Sequence, residues 1–275
     1  MKEETKISVI IAVYNGEKTI EKSIESVLLQ EHRNFELIVV NDGSTDDTVN
    51  KVNNFSDERL RLVNLTSNHG VSEARNRGLE LMTGSFFCFL DADDVFPIDS
   101  LSSRLRVFLE NENIRFVDGA VEQRLLSTNE LVDEYMPDYY GNPLKELLLL
   151  TGTCFLGQTW MIRNDFSNLP KFDPQLTHGE DLLFLIDCAV QGGEYSFVRN
   201  KVLTYYRHDN SAMTNVKGLE LYYKKHMSLL DKYCLNGVIT RSDKKKTRQK
   251  IRCILFKSYL KRKLVLEALK SLVIK

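Results

Sequence analysis

Three aspartates stand together in the stretch FLDADDVF, where Asp91, Asp93 and Asp94 directly follow an apolar run. Aspartate is a poor strand former, and like charges at this spacing repel one another, so the cluster needs an explanation. Such carboxylates can bind a hard divalent cation such as Mg²⁺ or Mn²⁺, or one of them can act as a nucleophile. The remaining interpretation is a loop of solvated charges without a function.

Two further motifs place acids where they could meet a ligand. Asp42 follows the apolar run FELIVV in NDGSTDDT, where Ser44 and Asp47 also have the spacing of a helix capping box. Glu180 and Asp181 begin the apolar segment HGEDLLFLIDCAVQGG. A carboxylate there can take a proton from an attacking hydroxyl group. Alternatively, both acids are simply favourable in the first turn of a helix.

Strand and helix patterns alternate through the first hundred residues. Four apolar runs have the length of buried strands, and the segments between them place apolar residues at helical spacing, as at Ile20, Ile24 and Val27. This alternation predicts an α/β fold with a mostly parallel central sheet flanked by helices. Such sheets bind ligands beyond the carboxyl ends of their strands, so NDGS and DADD are expected in one crevice. The four runs are KISVIIAVY, FELIVV, RLRLVNL and SFFCFL.

The pattern is less regular after residue 100. It predicts a helix at SLSSRLRVFLE, a strand at IRFVDGAV, a loop and a helix in LVDEYMPDYYGNPLKELLLLTG, a helix after HGED, and strands at EYSFV and KVLTYYRH. From about Leu219 the chain is predicted to be helical and increasingly basic.

The composition is that of an ordinary soluble globular protein, with 275 residues, 43% hydrophobic and 27% charged. The N-terminal apolar run is too short for a membrane span and does not have the form of a signal peptide. The five cysteines show no CxxC spacing and are expected to be small buried hydrophobes in a reducing compartment. A cytoplasmic location is the default expectation.

The C-terminal region has a strong positive charge. Residues 244–275 contain twelve Lys or Arg and one acid, Glu267, so their net charge is +11 and that of the other 243 residues is −12. An apolar face at helical spacing is predicted along this region, consisting of Ile251, Leu255, Tyr259, Val265, Leu269 and Leu272. Such a helix can lie on the inner face of an anionic membrane. The alternative is packing on the rest of the chain or on a second subunit, as in a homodimer. Nucleic acid is not expected as the partner, because aromatic residues are sparse.

Five motifs, in this order, resemble those of family-2 glycosyltransferases of the GT-A fold: VIIAVYNGEKTIEKSIESVLLQ, ELIVVNDGSTDDT, NHGVSEARNRG, FLDADD and HGED. The resemblance extends from about Ile7 to Ser211. It implies a Rossmann-like GT-A catalytic domain over residues 1–211, with a nucleotide-sugar donor half (1–100) and an acceptor half (101–211). Residues 212–275 would then form a basic helical C-terminal region.

The resemblance also implies roles for single residues. Asp93 would bind the metal, Asp94 and Glu180 would support the site, and Asp181 would be the general base. Arg75 would contact the donor pyrophosphate or an aspartate of the cluster. The donor-binding residues would be Ala12, Val13 and Tyr14 along the base, Asp42 hydrogen-bonded to it, Asp91 in contact with the ribose or sugar, and Ala92.

The sequence departs from the family pattern in two places. Asn41 stands where a second aspartate is common. In TYYRHDNS, His208 and Ser211 align with the family motif, but Tyr206 occupies the usual arginine position. His208 is therefore either a metal or pyrophosphate ligand or an ordinary histidine. Trp160, the one tryptophan, is either a wall of the acceptor site or a core residue.

The sequence thus predicts an inverting, metal-dependent transferase that moves a sugar from a nucleotide donor, expected to be a UDP-sugar, to a saccharide or lipid-linked acceptor. One alternative is a phosphohydrolase of the haloacid dehalogenase type that uses Asp91 and Asp93, although that motif normally follows the first core strand. The other is a nucleotide-binding protein without catalysis.

Overall fold

A computed structural model describes residues 5–207 and 215–274, so the predictions for His208 and Ser211 lie outside the described residues. The strands are β1 (Ile7–Val13), β2 (Phe35–Asn41), β3 (Leu60–Asn64), β4 (Phe86–Phe89), β5 (Ile114–Leu125), β6 (Leu131–Tyr135), β7 (Met161–Arg163) and β8 (Glu194–Arg207). The helices are α1 (Ile20–Leu28), α2 (Thr48–Asn53), α3 (Val71–Leu81), α4 (Ser100–Glu110), α5 (Leu144–Leu149), α6 (Glu180–Val190), α7 (Val216–Leu235), α8 (Arg241–Lys261) and α9 (Val265–Ser271).

The strands form one sheet in the order β3-β2-β1-β4-β7-β5-β6, and β8 also pairs with β5. Pairs β1–β2, β1–β4, β2–β3 and β5–β8 are parallel, whereas β4–β7, β5–β7 and β5–β6 are antiparallel. The predicted mostly parallel central sheet with flanking helices is confirmed. Since β2 and β4 both run parallel to β1, the loops that carry NDGS and DADD leave the sheet at the same end.

Three local predictions differ from the structure. The predicted strands EYSFV and KVLTYYRH form one long strand, β8, as far as Arg207, because register shifts against β5 absorb the polar residues between them. Strands β6 and β7 were not predicted, since β6 is exposed at its first four residues and β7 has only three residues. The predicted capping box is wrong, because Ser44 Oγ instead accepts a hydrogen bond from the Asn15 backbone N–H at 2.9 Å.

Helix α8 packs into the main core of the molecule. Ile251 and Leu255 are 0% exposed and share a hydrophobic cluster with Phe184 and Tyr222. Tyr259 is also buried, and its hydroxyl group donates a hydrogen bond to Glu220. This half of the predicted amphipathic face is therefore covered by the protein itself, and the hypothesis that it meets a membrane is wrong.

The other half of that face is exposed on α9. The short helix buries Ala268 and Ser271 against the chain, while its larger apolar side chains face outward. The exposed apolar residues of this segment are Leu264, Val265, Leu266, Leu269, Leu272 and Val273. Among residues 5–207 and 215–274, no helix has the length and apolar character needed to cross a membrane.

Candidate active site

The loop after β4 separates the three clustered aspartates by burial. The side chain of Asp94 turns inward, where it is 2% exposed and accepts a hydrogen bond from the Tyr206 backbone N–H at 2.9 Å. Paired backbone hydrogen bonds between Val95 and Thr204, of 3.1 and 2.8 Å, join the loop to β8. Asp91 and Asp93 instead line an open cavity. Asp94 thus holds the loop in place, whereas Asp91 and Asp93 reach the cavity.

Negative charge is concentrated at this loop. The pKa of Asp94 is raised well above its ordinary value, first by burial and then by the charges of Asp91 and Asp93. A divalent cation would relieve this repulsion. The described part of the chain has no cluster of three or more His, Cys, Asp or Glu side chains that could hold a metal by itself. This donor set fits Mg²⁺ or Mn²⁺ that takes one or two carboxylates and completes its coordination with phosphate oxygens and water.

Arg75 joins the aspartate loop to the start of α6. Its guanidinium group is largely buried and donates to Asp91 Oδ1 at 2.8 Å and to Glu180 Oε1 at 3.0 Å. The guanidinium carbon lies 5.4 Å from the centre of the Phe172 ring. Of the two partners predicted for Arg75, the structure shows the aspartate. The bond to Glu180 was not predicted.

Asp181 lies in the first turn of α6 and also lines the cavity. Its Oδ1 accepts a hydrogen bond from the Leu182 backbone N–H at 2.7 Å. The pKa of Asp181 is raised to about 7, mainly because burial disfavours the charged form and secondly because Glu180 is negative; Arg75 acts in the opposite direction. A carboxyl group with a pKa near neutrality suits a general base.

The cavity has a volume of about 710 Å³ and has two chemically different parts. One part is acidic, with Asp91, Asp93, Glu180 and Asp181 close to Tyr205 and His178. The other part is mainly apolar and is built from α5, the loop after it, α7 and α8. Its wall residues are Leu147, Leu150, Cys154, Phe155, Leu156, Leu219, Tyr222, Tyr223 and Ile254, with Glu146 and Lys250 as charged members.

The predicted base-binding residues lie outside this cavity, at the end of β1 and in the loops that follow β1 and β2. Tyr14 is 48% exposed, so its ring is open to a ligand. The carboxylate of Asp42 is buried and accepts hydrogen bonds of 2.8 Å from the backbone N–H groups of His69 and Gly70. It therefore holds the loop before α3. A contact between Asp42 and a base would use a remaining lone pair and stays a prediction.

Two residues from the sequence analysis lie away from the cavity. Trp160 is 1% exposed, packs on Phe116 and Tyr195, and donates from Nε1 to the Cys154 carbonyl oxygen at 2.9 Å. A wall of an acceptor site needs an exposed ring face, so Trp160 is a core residue. Arg207, which follows Tyr206 in TYYRHDNS and so lies one position after the usual arginine of the family motif, donates from Nε to Gln123 Oε1 at 2.8 Å.

Sequence reasoning missed the contribution of the C-terminal helices to the cavity. Tyr222 and Tyr223 of α7 and Lys250 and Ile254 of α8 lie in its wall. Their helical spacing indicates apolar faces but not the element that each face meets. Tyr205, one residue before the motif position discussed above, carried no separate signal.

The sequence comparisons agree with this geometry. Residues 8–169 match the family described as glycosyl transferase family 2. A relative from Escherichia coli, UDP-Glc:alpha-D-GlcNAc-diphosphoundecaprenol beta-1,3-glucosyltransferase WfgD, is 32% identical over 222 residues, which are 78% of this chain and 82% of the relative.

Two solved structures show the same fold. S. aureus TarS 1–349 in complex with UDP-GlcNAc matches with a TM-score of 0.63 at 17% sequence identity. The matched region covers 97% of this chain and 90% of the TarS chain. The mannosyltransferase PcManGT from Pyrobaculum calidifontis, in complex with GDP-Man and Mn²⁺, has a TM-score of 0.63 at 18% identity, over 96% of this chain and 73% of its own. The matches favour a glycosyltransferase over a phosphohydrolase or a nucleotide-binding protein without catalysis. With the aspartate loop, Arg75 and the start of α6 meeting at one cavity, the chain belongs to glycosyltransferase family 2 and has the GT-A fold.

Proposed function

We propose that the protein transfers a sugar from a UDP-sugar to a lipid-linked saccharide, with inversion at the anomeric carbon and with Mg²⁺ or Mn²⁺ bound. The observation that carries the proposal is that Asp91, Asp93 and Asp181 line one cavity. The E. coli relative is named for a UDP-glucose donor and a diphosphoundecaprenol-linked acceptor. The TarS and PcManGT complexes contain UDP-GlcNAc and GDP-Man with Mn²⁺, respectively.

The donor would extend from Tyr14 to the aspartate loop. The exposed Tyr14 ring would stack on the base beside Ala12 and Val13, and Asp91 and Ala92 would contact the ribose or the sugar. Asp93 would hold the cation, which neutralises charge on the departing diphosphate. Arg75 keeps Asp91 oriented through its 2.8 Å hydrogen bond.

Asp181 would act on the acceptor. Its carboxylate accepts the proton of the acceptor hydroxyl while that oxygen bonds to the anomeric carbon of the donor sugar. The bond from this carbon to the phosphate oxygen breaks at the same time, and UDP leaves with the electron pair. One such displacement inverts the configuration. Glu180 supports the base indirectly, because its hydrogen bond to Arg75 fixes the start of α6.

The activity can be tested by incubating the protein with a panel of nucleotide-sugars and Mn²⁺. We expect slow release of UDP from one UDP-sugar, and faster release with sugar transfer when a diphosphate-linked GlcNAc lipid is added. Asp93→Ala should abolish both reactions, whereas Asp133→Ala, which changes an exposed acid on β6, should not. Turnover that resists EDTA would remove the metal from the mechanism, and no release from any UDP-sugar would contradict the proposed activity.

The proposed acceptor would place the protein on the cytoplasmic face of a membrane. Helix α9 carries the surface that would contact an anionic membrane. Leu266, Leu269 and Val273 are 60%, 56% and 74% exposed. Exposed cations surround them, at Lys257, Lys261, Arg262, Lys263 and Lys270. Apolar side chains can enter the interface, while each nearby cation contributes about 1 kcal/mol on an anionic surface.

Sedimentation with lipid vesicles tests this surface. The wild-type protein should sediment with vesicles that contain anionic lipid and much less with neutral vesicles. The triple variant Leu266→Ser, Leu269→Ser, Val273→Ser should lose most of this binding. The opposite outcome is that the wild type fails to sediment with either kind of vesicle and forms a dimer that the triple variant does not form. In that case the surface binds a second copy of the chain, and the membrane proposal is wrong.

A further inference from the structure

We propose that the part of the cavity formed by Leu150, Ile254 and Lys250 binds the diphosphate and the adjoining hydrocarbon of a lipid-diphosphate-linked saccharide. The inference rests on the proposed function for its acceptor class, and it assigns a binding site to residues of α5 and α8. The saccharide would then lie toward Asp181, which enters the same cavity from α6.

The apolar character of this part is the first argument. A site for a free sugar is expected to present hydroxyl, amide and charged groups, whereas aliphatic and aromatic side chains dominate the wall here. Leucines from α5 and Ile254 from α8 face Tyr222 and Tyr223 of α7 across the packed helices. Leu147, Tyr222 and Tyr223 are buried, whereas Leu150 and Ile254 are partly exposed and Leu156 is 40% exposed. Apolar surface that stays exposed in a cavity is stabilised when another apolar group covers it. The hydrocarbon next to a diphosphate meets that requirement.

The charge distribution is the second argument. Among the described residues that line the cavity, Lys250 on α8 carries the one permanent positive charge, whereas the acids Asp91, Asp93, Glu180 and Asp181 come from the loop after β4 and from α6. The Lys250 ammonium group donates a hydrogen bond to the Leu150 carbonyl oxygen, which leaves two of its three N–H donors for phosphate oxygens. Glu146 also lines the apolar part, and its carboxylate accepts a hydrogen bond from Thr153 Oγ1 at 3.3 Å.

Continuity with the α9 surface is the third argument. Helix α8 carries Ile254 in the cavity wall and ends at Lys261, so about 10 Å of helix separates Ile254 from the end of α8 at about 1.5 Å per residue. The chain then folds back along α8. The contact that shows this is between the Arg252 guanidinium group and the Ile274 carbonyl oxygen, to which it donates hydrogen bonds of 2.9 and 3.1 Å. A lipid held beside Lys250 would therefore leave the cavity close to the proposed membrane surface.

The first experiment measures binding without catalysis. Farnesyl diphosphate is titrated into the full-length protein by calorimetry in EDTA, so that no metal at Asp93 can hold the diphosphate. The wild type should bind farnesyl diphosphate more tightly than farnesol, and Lys250→Ala should weaken diphosphate binding about tenfold, as expected for loss of one charged hydrogen bond. Lys246→Ala, which changes an exposed lysine of the same helix, is the matched control. Equal affinity of wild type and Lys250→Ala would overturn the assignment.

The second experiment uses turnover to separate the inference from the proposed function. The wild type receives the same GlcNAc acceptor linked to a long alkyl chain either through a diphosphate or through an ether. The KM should be lower for the diphosphate acceptor, and Lys250→Ala should reduce the ratio of the two KM values about tenfold. Transfer to both acceptors with an unchanged ratio supports the function and contradicts the inference. Lys250-dependent binding without any transfer supports the inference and contradicts the function.

Discussion

At the scale of single residues, Asp93 and Asp94 show how burial separates neighbours of identical chemistry. Asp94 is enclosed and bonded to the Tyr206 backbone, and its pKa is strongly raised, whereas Asp93 reaches the cavity. Asp181 is the third case, because burial and Glu180 bring its pKa to about 7 without closing it off from the cavity. These environments make Asp94 a positioning residue and leave Asp93 and Asp181 for the proposed chemistry.

Asp181→Asn tests the proposed base. Asparagine retains the size of the side chain but cannot take the proton, so kcat should fall by about 10² or more while the affinity for the donor changes little. Asp187→Asn, at an exposed acid of the same helix, should leave kcat unchanged. Loss of donor affinity in Asp181→Asn, measured by UDP binding, would instead identify Asp181 as a binding or structural residue.

The pH dependence of kcat follows from the raised pKa of Asp181. The base is active when ionised, so kcat should rise with pH and level off above a midpoint near pH 7. A cation bound beside Asp91 would add positive charge and move the midpoint below 7. A kcat that falls as pH rises through this range would contradict the assignment.

At the scale of secondary structure, the start of α6 is fixed from two sides. Arg75 holds Glu180, and the ring of Tyr222 on α7 packs directly against Gly179. Gly179 has a φ of +65°, which favours glycine, and a Cβ atom there would lie 2.3 Å from the Tyr222 ring. The position of Asp181 therefore depends on the contact between α6 and α7.

Gly179→Ala should displace the first turn of α6 and lower kcat by at least about tenfold, because small displacements of a catalytic group are costly. Gly152→Ala is the matched control: Gly152 also lines the cavity at a positive φ of +84°, but a Cβ atom there meets nothing within 4 Å. Both variants introduce a similar backbone strain, so kinetics and thermal unfolding of the pair isolate the contact with Tyr222. Equal kcat values for the two variants would show that this contact does not position Asp181.

At the scale of the whole molecule, the C-terminal helices belong to the same core as the rest of the chain. Ile251 and Leu255 of α8 pack in the cluster that contains Phe184 of α6, and Lys250 and Ile254 complete the cavity wall. The predicted boundary at residue 211 therefore does not separate two independent cores. Helices α7 and α8 form part of the structure that encloses the proposed acceptor.

Removal of residues 241–275 should consequently destabilise the whole protein. The truncation uncovers the apolar surfaces against which Ile251 and Leu255 pack, and loss of a single such side chain typically costs about 2–5 kcal/mol. The double variant Leu266→Ser, Leu269→Ser changes exposed α9 residues and should alter stability by less than about 1 kcal/mol. Thermal unfolding distinguishes the two cases. An unchanged Tm for the truncated chain would show that α8 is a dispensable appendage.

The sequence by itself determined the order of elements in the first hundred residues and indicated most of the acidic residues that line the cavity. Long apolar runs between helical patterns have few solutions other than a parallel sheet, because such strands must be covered on both faces. The connections then place the polar residues after each strand at one end of the sheet. The family resemblance of the motifs predicted that Asp91, Asp93 and Asp181 belong to one site, and all three line the cavity.

Tertiary structure decided which side chains meet and what covers each apolar face. The bond between Arg75 and Glu180 joins residues 105 positions apart, and no local pattern indicates it. Periodicity likewise predicted one apolar face from Ile251 to Leu272, yet packing buries its first half and leaves the second exposed. The physical reason is that spacing records the direction of a side chain on its own helix, whereas its partner depends on how distant elements pack. The same reason placed Trp160 in the core and Lys250 at the cavity.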